Sequence, residues 1–226
     1  MAEKQPTPLD ERQIEEISFI VVDFETVTPK GHPPEPIELG AMRVSKGLHI
    51  DSSFAMSWLI KPPEHAPLTA FDTQQTGIGW QDLRDRPAAQ VSLAEFEVLL
   101  QEDEYVLVAH NASYEAAIFQ RYAYVCPRVA AMLCIDTVAL GKLLAPGLAN
   151  YKLDTLADHF SLPIPLARHR ALPDVELTGQ IFLRLLATRA GAHSSITTIA
   201  DLKRVAGLKG SFQQQKLPVQ MGLFDA

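Results

Sequence analysis

The stretch ISFIVVDF, residues 17–24, decides the fold class of this chain. It is a nearly continuous run of β-favouring apolar residues, which is typical of a strand covered on both faces. Side chains alternate between the two faces of a strand, so Asp23 and Glu25 should share one face while Phe24 points to the other. The sequence therefore predicts a central strand that ends in two neighbouring carboxylates.

Strand and helix patterns alternate along the rest of the chain, which predicts an α/β fold. Apolar strand patterns occur at residues 37–44, 54–60 and 105–109. Helical spacing occurs at residues 92–100, 114–124, 153–160, 174–186 and 199–205. Ser92 is expected to cap the first of these helices, with Glu95 as its capping-box partner.

Composition fits one globular domain. The chain has 226 residues, of which 47% are hydrophobic and 21% are charged. Cys126 and Cys134 lack metal-site spacing, and we expect two reduced core thiols. The sequence shows neither a secretory signal nor an apolar run of the ~20 residues that a membrane helix needs, so a cytoplasmic location is expected.

The formal net charge of −7 argues against broad, non-specific binding to nucleic acid, for which a basic surface normally supplies the affinity. The charge is uneven, however, because the stretch 184–216 is basic and contains only one acid, Asp201. Its cations are Arg184, Arg189, Lys203, Arg204, Lys209 and Lys216. An acidic protein with this distribution needs a basic flank or a tethering partner to hold a nucleic acid.

Three separate segments carry residues suited to catalysis. Asp23 and Glu25 would repel each other at the end of a buried strand unless a cation lay between them, although such a pair can also mark a solvated strand end. The second segment is HNASYE, residues 110–115, and the third is HRALPD, residues 169–174. Each of these two also has a bland interpretation, in which Asn111 or Ser113 caps a helix and Glu115 or Asp174 stabilises a helix N-terminus.

Taken together, these segments resemble the DEDDh 3′–5′ exonuclease family, which includes the epsilon proofreading subunit of bacterial DNA polymerase, ribonuclease T and oligoribonuclease. The resemblance rests on ordered motifs over residues 17–188. They are Asp23-Phe24-Glu25-Thr26, the strand Ile-Glu-Leu-Gly-Ala at 37–41, Thr76-Gly77-Ile78, His-Asn-Ala at 110–112, Asp136-Thr137, Tyr151-Lys152-Leu153 and His-Arg-Ala-Leu-Pro-Asp at 169–174. Two positions depart from the usual pattern: Glu115 stands where the family has Asp, and Tyr114 stands where it has Phe.

The resemblance implies an RNase H-like fold, with a mixed central sheet flanked by helices. It also implies two divalent ions, Mg²⁺ or Mn²⁺, that are held by Asp23, Glu25, Glu115 and Asp174, with His169 as the general base. Glu115 is one methylene longer than Asp, so it could bind directly or displace a bridging water, and reduced activity is conceivable. The candidates for substrate binding are Thr26, Phe24, His110, Asn111 and Tyr114. Phe24 could equally be buried in the core.

The resemblance also suggests how the chain is divided and which partners it has. Residues 1–16 are predicted to be an N-terminal extension, 17–190 the exonuclease domain, and 191–226 a C-terminal helix and tail. Gln220, Leu223 and Phe224 resemble the peptide that binds the bacterial sliding clamp; the alternative is an apolar terminus that folds back onto its own domain.

Three functions are compatible with these residues. The favoured one is a DNA exonuclease in proofreading or repair that acts on single strands or on the 3′ ends of duplexes and releases nucleoside 5′-monophosphates. The second is an RNA 3′-end trimming enzyme of the same fold, because no residue can be identified that reads the 2′-hydroxyl. The third is a catalytically weak nucleic-acid-binding adaptor.

Overall fold

A computed structural model describes residues 7–101, 104–165, 169–189 and 193–208 of the chain. The strands are β1 (Ser18–Val27), β2 (Glu35–Ser45), β3 (His49–Leu59), β4 (Tyr105–Ala109) and β5 (Cys134–Asp136). The helices are α1 (Ala70–Thr76), α2 (Trp80–Leu83), α3 (Ala89–Leu99), α4 (Ser113–Arg121), α5 (Pro127–Ala131), α6 (Thr137–Leu144), α7 (Leu153–His159), α8 (Ala171–Ala187) and α9 (Ile199–Ala206). Two short 3₁₀ turns, Leu9–Glu11 and Ile14–Glu16, precede β1.

The strands form one mixed sheet in the order β3-β2-β1-β4-β5. β1 pairs antiparallel with β2 and parallel with β4, while β2–β3 is antiparallel and β4–β5 is parallel. Because β1 has a neighbour on both sides and is apolar on both faces, it is the central strand that the sequence predicts. The α/β class with a mixed, helix-flanked sheet is thereby confirmed.

Each face of the sheet carries its own apolar core. On one face, side chains of β1 such as Phe19 and Val21 pack with α6, α7, α8 and α9. On the other face, Ile20 and Val22 pack with α3, α4 and α5. Residues of the first 3₁₀ turns join the α8 face, since Ile14 is fully buried there together with Ile199. The predicted division of the chain into an extension, a domain and a tail stays a prediction.

Two expectations about individual residues are settled by the structure. Cys126 and Cys134 are buried and unpaired, as predicted, and burial raises the pKa of the Cys126 thiol to about 12. Ser92, in contrast, is not a helix cap. α3 begins after Ala88, which makes no side-chain capping bond, and the Ser92 amide already donates to the Ala88 carbonyl. An isolated β-bridge pairs Ala88 with Lys61 and fixes the backbone just before α3. Such a long-range pairing is not visible in the local sequence.

Within the described residues, none of the helices combines the length and the apolar character needed to cross a bilayer.

Candidate active site

The carboxylates of Asp23 and Glu25 lie on the face of the sheet that α8 covers. Because alternate residues of β1 face the same side, both acids lie on the face of Phe19 and Val21, which pack against α8. Phe24 packs on the opposite face, where the centroid of its ring is 5.1 Å from that of Phe119. The predicted division of faces is therefore confirmed. It directs both acids toward the helix that carries the third motif.

The first turn of α8 brings Asp174 to these two acids. Carboxylate oxygens of Asp23, Glu25 and Asp174 all lie within 4.8 Å of one another. Gly40 makes this approach possible, because it pairs with Asp23 across β1 and β2 and lies directly under Ala171. A Cβ at Gly40 would be 2.6 Å from the Ala171 carbonyl carbon, so any side chain there would push the helix away from the sheet.

A buried ion pair fixes the start of α8. Glu38 is 1% exposed, and both of its carboxylate oxygens accept hydrogen bonds from the Arg170 guanidinium, from Nε and Nη2, at 2.9 Å each. The Ala171 amide donates to the same carboxylate at 3.1 Å. Sequence reasoning did not assign this role to either residue. The signal was present, since Glu38 is a charge within an apolar strand and Arg170 follows the candidate base.

Glu115, from the first turn of α4, lies outside this group of three but interacts electrostatically with Asp23. It is 3% exposed, and one of its oxygens, Oε2, has no hydrogen-bond partner in the described part of the chain. Burial raises the pKa of the Glu115 carboxyl well above its ordinary value near 4.5, and the negative charges of Asp23 and Asp136 raise it further. The longer Glu side chain is thus buried near enough to Asp23 for their charges to repel each other.

This arrangement suits divalent cations. Three carboxylates converge within a few ångströms, and a fourth is buried with an unsatisfied oxygen, which is costly unless a positive charge compensates it. Hard cations such as Mg²⁺ and Mn²⁺ prefer carboxylate oxygens over the nitrogen and sulfur ligands that zinc favours. The residues present therefore fit the group that the sequence motifs imply.

The raised pKa of Glu115 gives a pH-dependent stability that can be measured. The folded protein holds this proton to higher pH than the unfolded chain does, so stability without metal falls as pH rises from about 5 through the raised pKa. In EDTA, we expect the Tm of the wild type to fall more between pH 5 and pH 8 than the Tm of Glu115→Gln. Each kcal/mol lost from the free energy of unfolding lowers the Tm by about 2–4 °C. Thermal unfolding followed by circular dichroism measures the difference.

The exposed residue Glu64 supplies the matched control, because Glu64→Gln should follow the wild type at both pH values. Addition of 1 mM Mn²⁺ should raise the Tm of the wild type more than that of Glu115→Gln, since a ligand stabilises the state that binds it. Equal pH slopes for Glu115→Gln and the wild type would contradict the assignment.

Two residues of the predicted motifs have left-handed backbones. Asn111 has φ 64° and His169 has φ 63°, a region that non-glycine residues adopt at a cost and that is found at functional sites. The Asn111 amide donates to Asp136 Oδ1, and His110 Nδ1 lies 2.9 Å from the Thr137 hydroxyl. The Asp-Thr pair singled out in the sequence thus supports the turn that leads into α4.

The cap interpretation of the second motif is wrong. α4 begins after Ala112, and no side chain caps its N-terminus, so neither Asn111 nor Ser113 serves that purpose. His169 is exposed just before α8. Its role as general base stays a prediction.

An open cleft of about 500 Å³ begins at the acids. Glu25 and Thr26 form one wall, and Tyr114 contributes its hydroxyl, which lies 2.5 Å from the Thr26 hydroxyl. The opposite wall comes from α1, where Phe71 is 63% exposed. Phe24 also borders the cleft but is only 5% exposed. Sequence reasoning missed Phe71, because α1 shows no long apolar period.

Similar folds occur among solved nucleases. A 3′-exonuclease that recognises the 3′ end of a histone mRNA stem-loop has a TM-score of 0.66 at 16% identity, covering 82% of this chain and 69% of that one. Exonuclease X, solved with 5′-overhanging duplex DNA, has a TM-score of 0.58 at 24% identity, covering 81% of this chain and 98% of that one. These likenesses show a shared fold, which is the RNase H-like fold implied by the motifs.

Similar sequences occur in bacterial DNA polymerases III of the PolC type. The PolC-type DNA polymerase III of Bacillus subtilis is 31% identical over 208 residues, and that of Caldanaerobacter subterraneus is 30% identical over 201 residues. These alignments cover 91% and 89% of this chain but only 14% of each polymerase. The chain thus spans about one seventh of the relatives that it matches.

The exonuclease family model named for RNase T matches residues 20–182. This match includes every strand of the sheet and the four candidate acids. The family resemblance seen in the motifs is confirmed: this chain belongs to the RNase T-type exonuclease family.

Proposed function

We propose that this chain is a divalent-metal-dependent 3′–5′ exonuclease that acts on DNA, in proofreading or repair, and releases nucleoside 5′-monophosphates. The observation that carries the proposal is the convergence of Asp23, Glu25 and Asp174 at the end of an open cleft, with Glu115 buried beside them. Carboxylates repel one another, so the convergence of acids this far apart in the sequence is unfavourable unless a cation offsets their charge. This convergence argues against the adaptor function.

The four acids would hold two divalent ions, Mg²⁺ or Mn²⁺. Such ions offset the charge of the acids and of a phosphodiester and stabilise the charge that develops on it during hydrolysis. His169 would accept a proton from the attacking water. Arg170 would act as a positioning residue, because its ion pair with Glu38 holds the backbone between His169 and Asp174.

The terminal nucleotide would occupy the cleft beside Glu25. Backbone near Thr26 would contact the 3′-hydroxyl, and Tyr114 would border the terminal base, with its hydroxyl fixed by Thr26. His110 and Asn111 would contribute by shaping the turn into α4. Phe71 is better placed than Phe24 to stack on a base, since Phe24 contributes most of its ring to the core.

Replacing Phe71 by Ala should raise KM for single-stranded DNA by about 5- to 150-fold, because base stacking on an aromatic side chain contributes ~1–3 kcal/mol. The value of kcat should change little, since Phe71 is neither a candidate metal ligand nor the candidate base. Steady-state kinetics on a labelled oligonucleotide separates the two constants. Tyr124→Ala, which removes an aromatic ring that is 66% exposed elsewhere on the surface, is the matched control. A KM equal to that of the control would refute the stacking role.

The affinity for nucleic acid has to come from more than the surface charge. Of the described cations in the basic C-terminal part, Arg189 pairs with Glu15, Lys203 with Asp10 and Arg204 with Asp201. These ion pairs cancel much of the basic flank. A tether to the sliding clamp through Gln220, Leu223 and Phe224 would compensate by raising the local DNA concentration. These three residues lie outside the described part of the chain.

DNA is favoured over RNA because relatives with 30% identity or more include DNA polymerases III of the PolC type. RNA trimming is the second candidate, supported by the fold shared with the histone mRNA 3′-exonuclease. Matched single-stranded DNA and RNA oligonucleotides, labelled at the 5′ end, should be incubated with Mg²⁺, with Mn²⁺ and with EDTA. The proposal predicts a ladder of shortened 5′-labelled DNA products with either metal and none with EDTA. Faster loss of RNA would favour trimming, and loss of the 5′ label as mononucleotide would refute the polarity.

A further inference from the structure

An apolar groove on the surface shares no lining residue with the cleft at the acids and is not used by the mechanism. α3 turns Val91, Val98 and Leu99 outward, and these side chains are 47%, 62% and 45% exposed. Together with Trp58 of β3 they line a groove of about 660 Å³. The Trp58 ring is held in place by edge contact with Phe96, at 5.5 Å between ring centroids. Contiguous exposed apolar surface of this kind is characteristic of an interaction site.

The C-terminal segment leaves the described structure on the same face of the sheet. The Leu208 amide donates to the Cys134 carbonyl, and its side chain packs with Phe119 and Val129 in the core that α3 also covers. α5 contacts both Leu208, which lines one pocket together with Val129 and Ala130, and α3. Its first amides, from Arg128 and Val129, donate to the Glu97 carboxylate of α3 at 3.0 Å each.

The segment is long enough to reach the groove. Two helix spacings, those of α5 and α3, separate Leu208 from the outer side of α3, which is roughly 20 Å at 8–10 Å per spacing. The 12 residues from Leu208 to Gln220 span up to ~40 Å when extended. The segment can therefore reach the groove without being fully extended.

The chemistry of the segment matches the groove. Residues 217–224, LPVQMGLF, contain no charged side chain, and five of the eight are large and apolar. Burying the exposed part of the α3 side chains against them would be favourable at ~25 cal/mol per Å² of apolar surface. No other charge-free stretch of this kind occurs after Leu208.

We propose that residues 217–224 of the same chain dock in the groove between α3 and Trp58, with Leu223 and Phe224 as the inserted side chains. The same two side chains are the ones that a sliding clamp would take up. Docking in cis and capture by a protein partner then exclude each other, so the groove shields the peptide until a partner competes for it. The proposal does not depend on exonuclease activity.

Trp58 is a built-in reporter for this contact. The chain has two tryptophans, and Trp80→Phe leaves Trp58 as the only one. In full-length protein with this change, acrylamide quenching of Trp58 should be weak. The double change Leu223→Ala with Phe224→Ala should raise the quenching constant roughly twofold, because water then reaches the groove. Val98→Asp, at an exposed position that tolerates substitution, should do the same without a further effect of the tail change.

Lys216→Ala, which lies next to the segment, is the matched control and should leave quenching unchanged. Circular dichroism confirms that each variant is folded. Unchanged quenching in the Leu223/Phe224 variant would overturn the proposal. Protection of Trp58 that disappears when the protein is diluted from 100 to 1 µM would also overturn it, since a second copy of the chain would then be the occupant.

Discussion

Replacing Asp23 by Asn is expected to reduce 3′-end degradation of single-stranded DNA by at least about 10³-fold, the largest activity loss of any single change in this chain. Asp23 is the one acid whose carboxylate both belongs to the converging group of three and acts electrostatically on Glu115. In the proposed function Asp23 helps to hold both divalent ions, so its loss would weaken their binding. Several kcal/mol of transition-state stabilisation disappear with them, and each ~1.4 kcal/mol is a factor of ten.

The experiment compares kcat for Asp23→Asn, the wild type and Asp158→Asn at saturating Mn²⁺. Asp158 is an exposed acid on α7, so its replacement changes the net charge equally without touching the site. The control should keep wild-type activity, and the Tm of Asp23→Asn in EDTA should not fall below that of the wild type, because one of the repelling charges is gone. If Asp23→Asn retained more than a tenth of the wild-type activity, a role of Asp23 in binding both proposed ions would be refuted.

Replacing Glu38 by Gln is expected to cause the largest loss of stability. The change leaves Arg170 without its bidentate partner, and removing one member of a buried ion pair costs about 3–5 kcal/mol. The Arg170 side chain is 38% exposed, so water recovers part of that energy. We expect a loss of about 3 kcal/mol, or a Tm about 6–12 °C lower, in urea and thermal unfolding.

The same substitution should lower kcat by about 10- to 100-fold. The ion pair fixes the start of α8, and its loss would disturb the orientation of Asp174, a candidate metal ligand in the first turn of that helix. A double-mutant cycle with Arg170→Ala tests the contact itself. The second change should cost little once Glu38 is replaced, so that the two effects are far from additive. Additive losses would mean that the guanidinium and the carboxylate act independently.

Local sequence was sufficient for the parts of the fold that have strict periodicity. β1 and β4 follow from continuous apolar runs, and the alternation of β1 was enough to place Asp23 and Glu25 on one face. The parts that could not be predicted depend on contacts between distant segments. α3 begins at Ala89 rather than at Ser92 because a bridge to Lys61 sets its entry, and β5, with three residues, is too short to show any period.

The acids of the candidate site could be predicted from the sequence, whereas the contacts that position them and the walls of the cleft could not. The acids stand at motif positions that the sequence shows, and the structure brings three of them together, namely Asp23, Glu25 and Asp174. The Glu38–Arg170 pair spans 132 residues and is visible only once β2 and α8 are packed. Phe71 lies on a seven-residue helix with a mostly polar sequence, so its exposure at the cleft emerges only from the position of α1 opposite Tyr114.

Anomalous diffraction from crystals of the full chain, grown or soaked in MnCl₂, would show directly whether the converging acids bind metal. If they do, anomalous peaks should lie at a bonding distance of about 2.1 Å from carboxylate oxygens of Asp23, Glu25 and Asp174, with Glu115 turned toward them. Anomalous density that is absent from this cluster at saturating Mn²⁺, or that is found only elsewhere on the surface, would contradict a metal-dependent nuclease site.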